Sequence, residues 1–136
     1  CWDATSSETI WQALTNNQGL SSATGTANTQ LNALTWRWFT IGGMRIAFAH
    51  GTTKTLAIST AVGSSYYQNG GITVPIPSSV GFTAAPYGVL CQMDNLISCG
   101  PSGKSSWTKT QVKVDAWSAS SRASSGYVID FVVWGV

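Results

Sequence analysis

The stretch from Ile72 to Leu90 (ITVPIPSSVGFTAAPYGVL) constrains the fold of this chain more than any other. Its first part alternates apolar residues, which are Ile72, Val74 and Ile76. Alternation of this kind is typical of a strand with one buried face. Pro75 and Pro77 lie on the opposite parity, and because proline cannot donate a hydrogen bond to a neighbouring strand, they predict a strand at the edge of a sheet. A further strand is predicted from Tyr87 onwards, so the stretch indicates β-structure.

Composition narrows the class of protein. The chain has 136 residues, enough for one domain with a core of its own. Only 9% of the residues are charged and the net charge is +2, which argues against a charge-rich disordered chain and predicts neither nucleic acid nor an anionic membrane as partner. No apolar run approaches the ~20 residues of a membrane helix, so no membrane insertion is expected. Acidic residues and cysteines lack the clustering of a metal site, and neither metal nor cofactor is expected.

The remaining pattern predicts an all-β fold. Roughly eight short apolar segments are separated by polar turns, which favours an antiparallel two-sheet β-sandwich of jelly-roll type. In the segment after Gly43, we expect Met44, Ile46 and Phe48 to face the interior. The intervening Ala47 and Ala49 are then expected on the outside.

Residues 1–33 differ from the rest of the chain. Thr5–Glu8 has the form of a capping box and precedes a short apolar stripe at helical spacing. Asn16–Asn32 is polar and without periodicity. The sequence predicts a short helix or irregular linker over residues 1–33, with a terminal segment that packs on the domain as the other interpretation, and a single β-domain over residues 34–136.

Cys91 and Cys99 are symmetric about Asn95. A hairpin turning there would place the two cysteines opposite each other, near the separation that a disulfide requires. Two small buried thiols are the other interpretation. The sequence leaves both open.

The last strand, Tyr127–Val136, carries apolar residues on both parities. A strand of this kind is covered on both faces, yet a two-sheet sandwich covers only one. The simplest additional cover is a three-fold axis shared with identical chains. Asp130 lies on this strand, and because a buried unpaired carboxylate is costly, we expect Arg45 or Arg37 to pair with it.

Three motifs carry a resemblance to a known family. They are Gly81-Phe82 followed by small residues and Pro86-Tyr87, the strand GGMRIAF at residues 42–48, and the apolar closing strand at residues 127–136. In this layout, residues 34–136 resemble the C-terminal receptor-binding domains of bacteriophage tail-fibre and tail-spike proteins. The resemblance implies a lectin-like homotrimeric tip on the virion that works outside the cell and binds a glycan of the bacterial surface.

Sugar sites combine an aromatic ring, which stacks on the pyranose, with polar groups that bind its hydroxyls. The turns supply these residue types, and the predicted ligand-binding residues are Tyr66, Tyr67, Gln68, Asn69, Trp107 and Arg122. Trp107 and Trp117 share the polar parity of a predicted strand, which favours a binding surface or a subunit contact for each.

Catalysis is not expected. His50 has no neighbouring nucleophile motif or acidic partner in the sequence, and the few carboxylates lie in separate segments. The alternatives to a receptor-binding tip are a trimerisation cap without ligand, a hydrolase of surface polysaccharide, and a secreted bacterial lectin or adhesin module.

Overall fold

A computed structural model describes residues 20–136. The strands of this part are β1 (Ser21–Thr24), β2 (Thr35–Ile41), β3 (Met44–Thr52), β4 (Leu56–Ile58), β5 (Thr60–Val62), β6 (Ser65–Tyr67), β7 (Ile72–Pro75), β8 (Gly88–Met93), β9 (Ser98–Pro101), β10 (Gln111–Ser118), β11 (Arg122–Ser125) and β12 (Val128–Gly135). Two 3-10 turns lie at Ser78–Val80 and Lys104–Ser106. The predicted all-β fold is therefore confirmed. The helix predicted after Thr5 lies outside the described residues.

The strands form two larger sheets. The first sheet has the order β1-β2-β3-β12-β8, and the second has the order β5-β6-β10-β7, with β9 also paired to β10. Strands β4 and β11 form a separate pair, and every pairing is antiparallel. Strand β7 stands at the end of the second sheet, as its prolines predicted. Its alternating residues Ile72, Val74 and Ile76 are all buried.

Large and small side chains alternate across the inner face of the first sheet. One row of directly opposed residues is Trp36, Ala49 and Phe131, and the next is Trp38, Ala47 and Val133. All six are buried. Because the two indoles occupy the space beside β3, only small residues fit on the inner face of that strand. The prediction that Met44, Ile46 and Phe48 face inward is therefore wrong, since they lie on the outer face.

The closing strand β12 is buried on one side only within the described chain. Ile129, Phe131 and Val133 face the core. On the other side, Val128 is 39% exposed and Trp134 is half-buried. The Trp134 ring lies over Gly88 of β8, where a Cβ atom would come within 2.2 Å of it. The doubly apolar pattern thus has a packed inner face and an open outer face.

The edge strand β1 belongs to the sandwich. It pairs with β2 from Ser21 to Thr24, and Leu31 is fully buried in the core. The side-chain oxygen of Asn28 accepts hydrogen bonds from two backbone N–H groups, at Gln30 and Leu31, which fixes the connection to β2. Parts of residues 21–33 therefore pack against the strands that follow them, as in the interpretation of a terminal segment that packs on the domain.

Cys91 and Cys99 are free, half-buried thiols at a corner between the sheets. Strand β8 belongs to the first sheet and β9 to the second, and both cysteines pack against the core. Interaction with Cys91 lowers the pKa of the Cys99 thiol, and interaction with Cys99, together with burial, raises the pKa of the Cys91 thiol. Strands β8 and β9 follow each other along the chain and are in contact, which brings the two thiols within reach of each other.

Oxidation is expected to join these thiols. In a Cys1→Ser background, oxidised glutathione should remove both titratable thiols and lower the mass by about 2 Da. Closing this short loop restricts the unfolded chain by about 2–3 kcal/mol, so the melting temperature should rise by about 5–10 °C. The matched control is the same protein with Cys91→Ala, in which Cys99 can form only a mixed disulfide with glutathione, so neither the 2 Da loss nor the rise in melting temperature should occur. Two free thiols after oxidation would contradict the expectation.

Candidate functional site

The cluster predicted at residues 66–69 divides between the two faces of the second sheet. Tyr66 packs partly against the core, whereas Tyr67 lies on the outer face. Gln68 is only 8% exposed, and its side-chain amide donates a hydrogen bond to the Asn69 carbonyl at 2.7 Å. Asn69 is exposed in the turn. Gln68 therefore shapes the turn, while the tyrosines and Asn69 keep accessible surface.

Trp107 lies in the core, contrary to the expected exposure. It is 6% exposed, and its Nε1 donates a hydrogen bond to the Ser102 carbonyl at 2.7 Å. The 3-10 turn at Lys104–Ser106 breaks the alternation that the sequence suggested and folds the indole inward. The Lys104 ammonium group lies 5.7 Å from the centroid of the ring. A ring covered in this way has no free face for stacking on a ligand.

Arg122 lies on β11 and is half-buried. Its Nε donates a hydrogen bond to Ser118 Oγ at 3.2 Å. Ser118 follows Trp117 in β10 and stands opposite Tyr66. The guanidinium group is therefore tied to the strand that carries the exposed tryptophan.

The exposed aromatic residues meet on the outer face of the second sheet. Trp117 is 44% exposed and stands directly opposite Tyr67. The complete cross-strand row is Thr60, Tyr67, Trp117 and Ser98. Tyr67 and Trp117, termed the aromatic platform, line a depression of about 480 Å³ together with Val62, Ser65 and Tyr66. The cross-strand row therefore places two aromatic residues side by side, with a hydroxyl-bearing residue at each end.

The platform continues into polar surface along β10. Lys113 and Asp115 share its parity, and Asp115 lies beside Gly71 at the start of β7. The sequence pattern predicts Trp117 on the outer parity but does not connect it to Tyr67. The two residues are fifty positions apart, and only the pairing of β6 with β10 brings them together.

A larger groove of about 620 Å³ lies on the outer face of the first sheet. Its polar side is a cross-strand row of Thr35, His50, Asp130 and Gln92. His50 Nδ1 lies 2.5 Å from one oxygen of Asp130, and Gln92 Nε2 donates a hydrogen bond to the other at 3.1 Å. The predicted partners Arg45 and Arg37 are therefore wrong, because the strand register places His50 beside this carboxylate.

This polar row lacks the other parts of a catalytic site. Among the described residues, no hydroxyl or thiol makes a hydrogen bond to His50, and one carboxylate alone lines the groove. Nucleophilic catalysis requires a hydroxyl or thiol within hydrogen-bond reach of the histidine, and glycoside hydrolysis requires a second carboxylate about 5–10 Å away. The described part of the chain also contains no group of three potential metal ligands. Residues 20–136 include no helix with the length and hydropathy to cross a membrane.

Comparison of the chain with protein-family models, curated proteins and solved structures found no match.

Proposed function

We propose that this chain is the receptor-binding tip domain of a bacteriophage tail fibre and binds a glycan of the bacterial surface. The aromatic platform is the single observation that supports the location of the binding site. Large aromatic side chains that remain exposed to solvent often mark a surface that binds a ligand or a partner. The phage assignment is supported by the resemblance of residues 34–136 alone.

The platform suits a sugar ring for two physical reasons. The flat faces of Trp117 and Tyr67 offer apolar area at little cost in conformational entropy, and one face of a pyranose is itself apolar. Hydroxyl groups surround these rings: Thr60 and Ser98 end the cross-strand row, and Ser65 lines the depression. They supply donors and acceptors for the equatorial hydroxyls of the sugar.

An open depression of this size gives weak binding to a single sugar. A fibre that displays three copies raises the effective strength, because the second and third contacts become intramolecular. The proposed assembly is accordingly a homotrimer on the virion, which acts outside the bacterial cell.

A glycan array probed with the full chain tests the proposal. Binding to a small set of bacterial surface glycans, competed by the free oligosaccharide, is expected. Absence of binding to any glycan, together with absence of binding to bacterial cells, would contradict it.

A trimerisation cap without ligand is the second candidate. It is favoured by the apolar side chains on the outer face of the first sheet, among them Met44, Ile46 and Phe48, which suit assembly. A cap would leave attachment to cells unchanged when the platform is removed, whereas a receptor-binding tip would lose it. Binding to cells of the same species that makes the chain would instead favour a secreted bacterial adhesin.

A further inference from the structure

The outer face of the first sheet gathers apolar side chains that solvent reaches. Five large apolar residues on this face are at least 36% exposed, namely Ile41, Met44, Phe48, Leu90 and Val128. Four more are half-buried between them, namely Phe39, Ile46, Val132 and Trp134. These nine residues, termed the apolar face, occupy four adjacent strands.

The strand register makes most of this surface continuous. One row is Phe39, Ile46, Trp134 and Gly88, and the next is Arg37, Phe48, Val132 and Leu90. The rings of Phe39 and Phe48 stack with their centroids 6.1 Å apart. These two rows are neighbours, and Arg37 is the one charged residue in them. The polar row of Thr35, His50, Asp130 and Gln92 borders them and separates Val128 from the rest of the apolar face.

The dimensions of the apolar face exceed those of a site for one sugar. Four strands with about 4.8 Å between them, each contributing about six residues at about 3.3 Å, cover roughly 20 Å by 20 Å. A monomeric protein rarely exposes a contiguous apolar patch larger than a few hundred Å², and larger ones mark protein–protein interfaces. A standard interface buries about 800 Å² from each partner, so a footprint of about 400 Å² corresponds to the apolar centre of such an interface, and the polar residues around it would supply the rim.

We propose that the apolar face is the interface at which copies of this chain associate. The charges on the face favour an identical partner. They consist of Arg37 and the hydrogen-bonded pair of His50 with Asp130, so two copies can meet with little repulsion between like charges. A partner recognised by its charge would require a surface of one sign, which this face lacks.

The position of the apolar face is compatible with the binding site proposed above. The expected number of copies, three, rests on the proposed function. The aromatic platform lies on the second sheet and points away from the first. Copies that cover their apolar faces therefore leave Tyr67 and Trp117 accessible. Assembly and ligand binding occupy opposite sides of the sandwich.

Sedimentation velocity of the full chain tests this interface. We expect the wild-type chain to sediment as an oligomer and Leu90→Lys to sediment as a single chain, with association weakened at least 100-fold. Leu90 is 63% exposed on the edge strand β8, so lysine is compatible with the fold of one copy. Ile41→Lys, on β2, is a second variant with the same expectation.

Leu96→Lys is the matched control, because Leu96 is 90% exposed in the β8–β9 turn and lies outside the apolar face. This variant should associate as the wild type does. A monomeric wild-type chain would overturn the proposal. In such a monomer, cross-linking of residues 1–19 to a cysteine placed at position 90 would show that the chain's own N-terminal segment covers the apolar face. An oligomer that withstands both Leu90→Lys and Ile41→Lys would overturn it as well.

The outcome is independent of the glycan proposal. Monomeric Leu90→Lys should keep the single-site affinity for a glycan that the wild-type chain binds and should lose only the gain from multiple copies. Dissociation by Leu90→Lys supports the interface even where no glycan binds, in which case the receptor-binding function alone fails. A dissociating dimer supports the face and overturns the three-fold stoichiometry.

Discussion

Replacing Trp36 with alanine is expected to lower the free energy of unfolding by about 3–5 kcal/mol. Trp36 is fully buried and fills the inner row opposite Ala49 and beside Phe131. Because alanine already occupies the neighbouring position, no adjacent side chain can expand into the cavity. Urea denaturation monitored by circular dichroism measures the change.

Trp36→Phe is the matched comparison. The indole Nε1 of Trp36 is buried and has no hydrogen-bond partner among the described residues. Phenylalanine removes this unpaired donor, whose burial costs about 1–3 kcal/mol, and leaves a smaller cavity than alanine does. We expect Trp36→Phe to cost less than half as much as Trp36→Ala. Equal costs for the two variants would contradict this account of the core.

Replacing Trp117 with alanine is expected to weaken glycan binding about 30-fold. A tryptophan at the centre of a binding site typically contributes at least about 2 kcal/mol, which corresponds to that factor in the dissociation constant. Tyr67→Ala should act in the same direction, since Tyr67 supplies the other half of the platform. Isothermal titration with the glycan selected from the array gives the dissociation constants.

Tyr87→Ala provides the control for this loss of aromatic surface. Tyr87 is 49% exposed, but it stands before β8 and not on the second sheet. Its removal should leave the dissociation constant unchanged. Wild-type affinity in Trp117→Ala, with the melting temperature preserved, would show that the glycan binds elsewhere.

Local alternation predicted β7 well. In β7, the residues on one parity are apolar and those on the other are threonine and proline, so the buried side followed directly from the sequence. In β3 both parities are apolar, and the choice depended on neighbours. The indoles of Trp36 and Trp38 decide it, because they leave room only for Ala49 and Ala47.

The candidate site depended on contacts that a linear pattern does not contain. His50 and Asp130 are eighty positions apart, and only the register of β3 with β12 makes them partners. Trp107 and Trp117 looked equivalent in sequence. They differ in the structure because the 3-10 turn before Trp107 directs its ring into the core, whereas Trp117 stays on the surface.

The prolines of β7 have a consequence for behaviour at high concentration. Pro75 closes the strand at the free flank of the second sheet and Pro77 follows two residues later, so this flank lacks amide donors at both positions. A strand from another molecule could not form a continuous ladder of hydrogen bonds there, which hinders association into cross-β filaments. That side of the domain therefore tolerates a high local concentration of the protein.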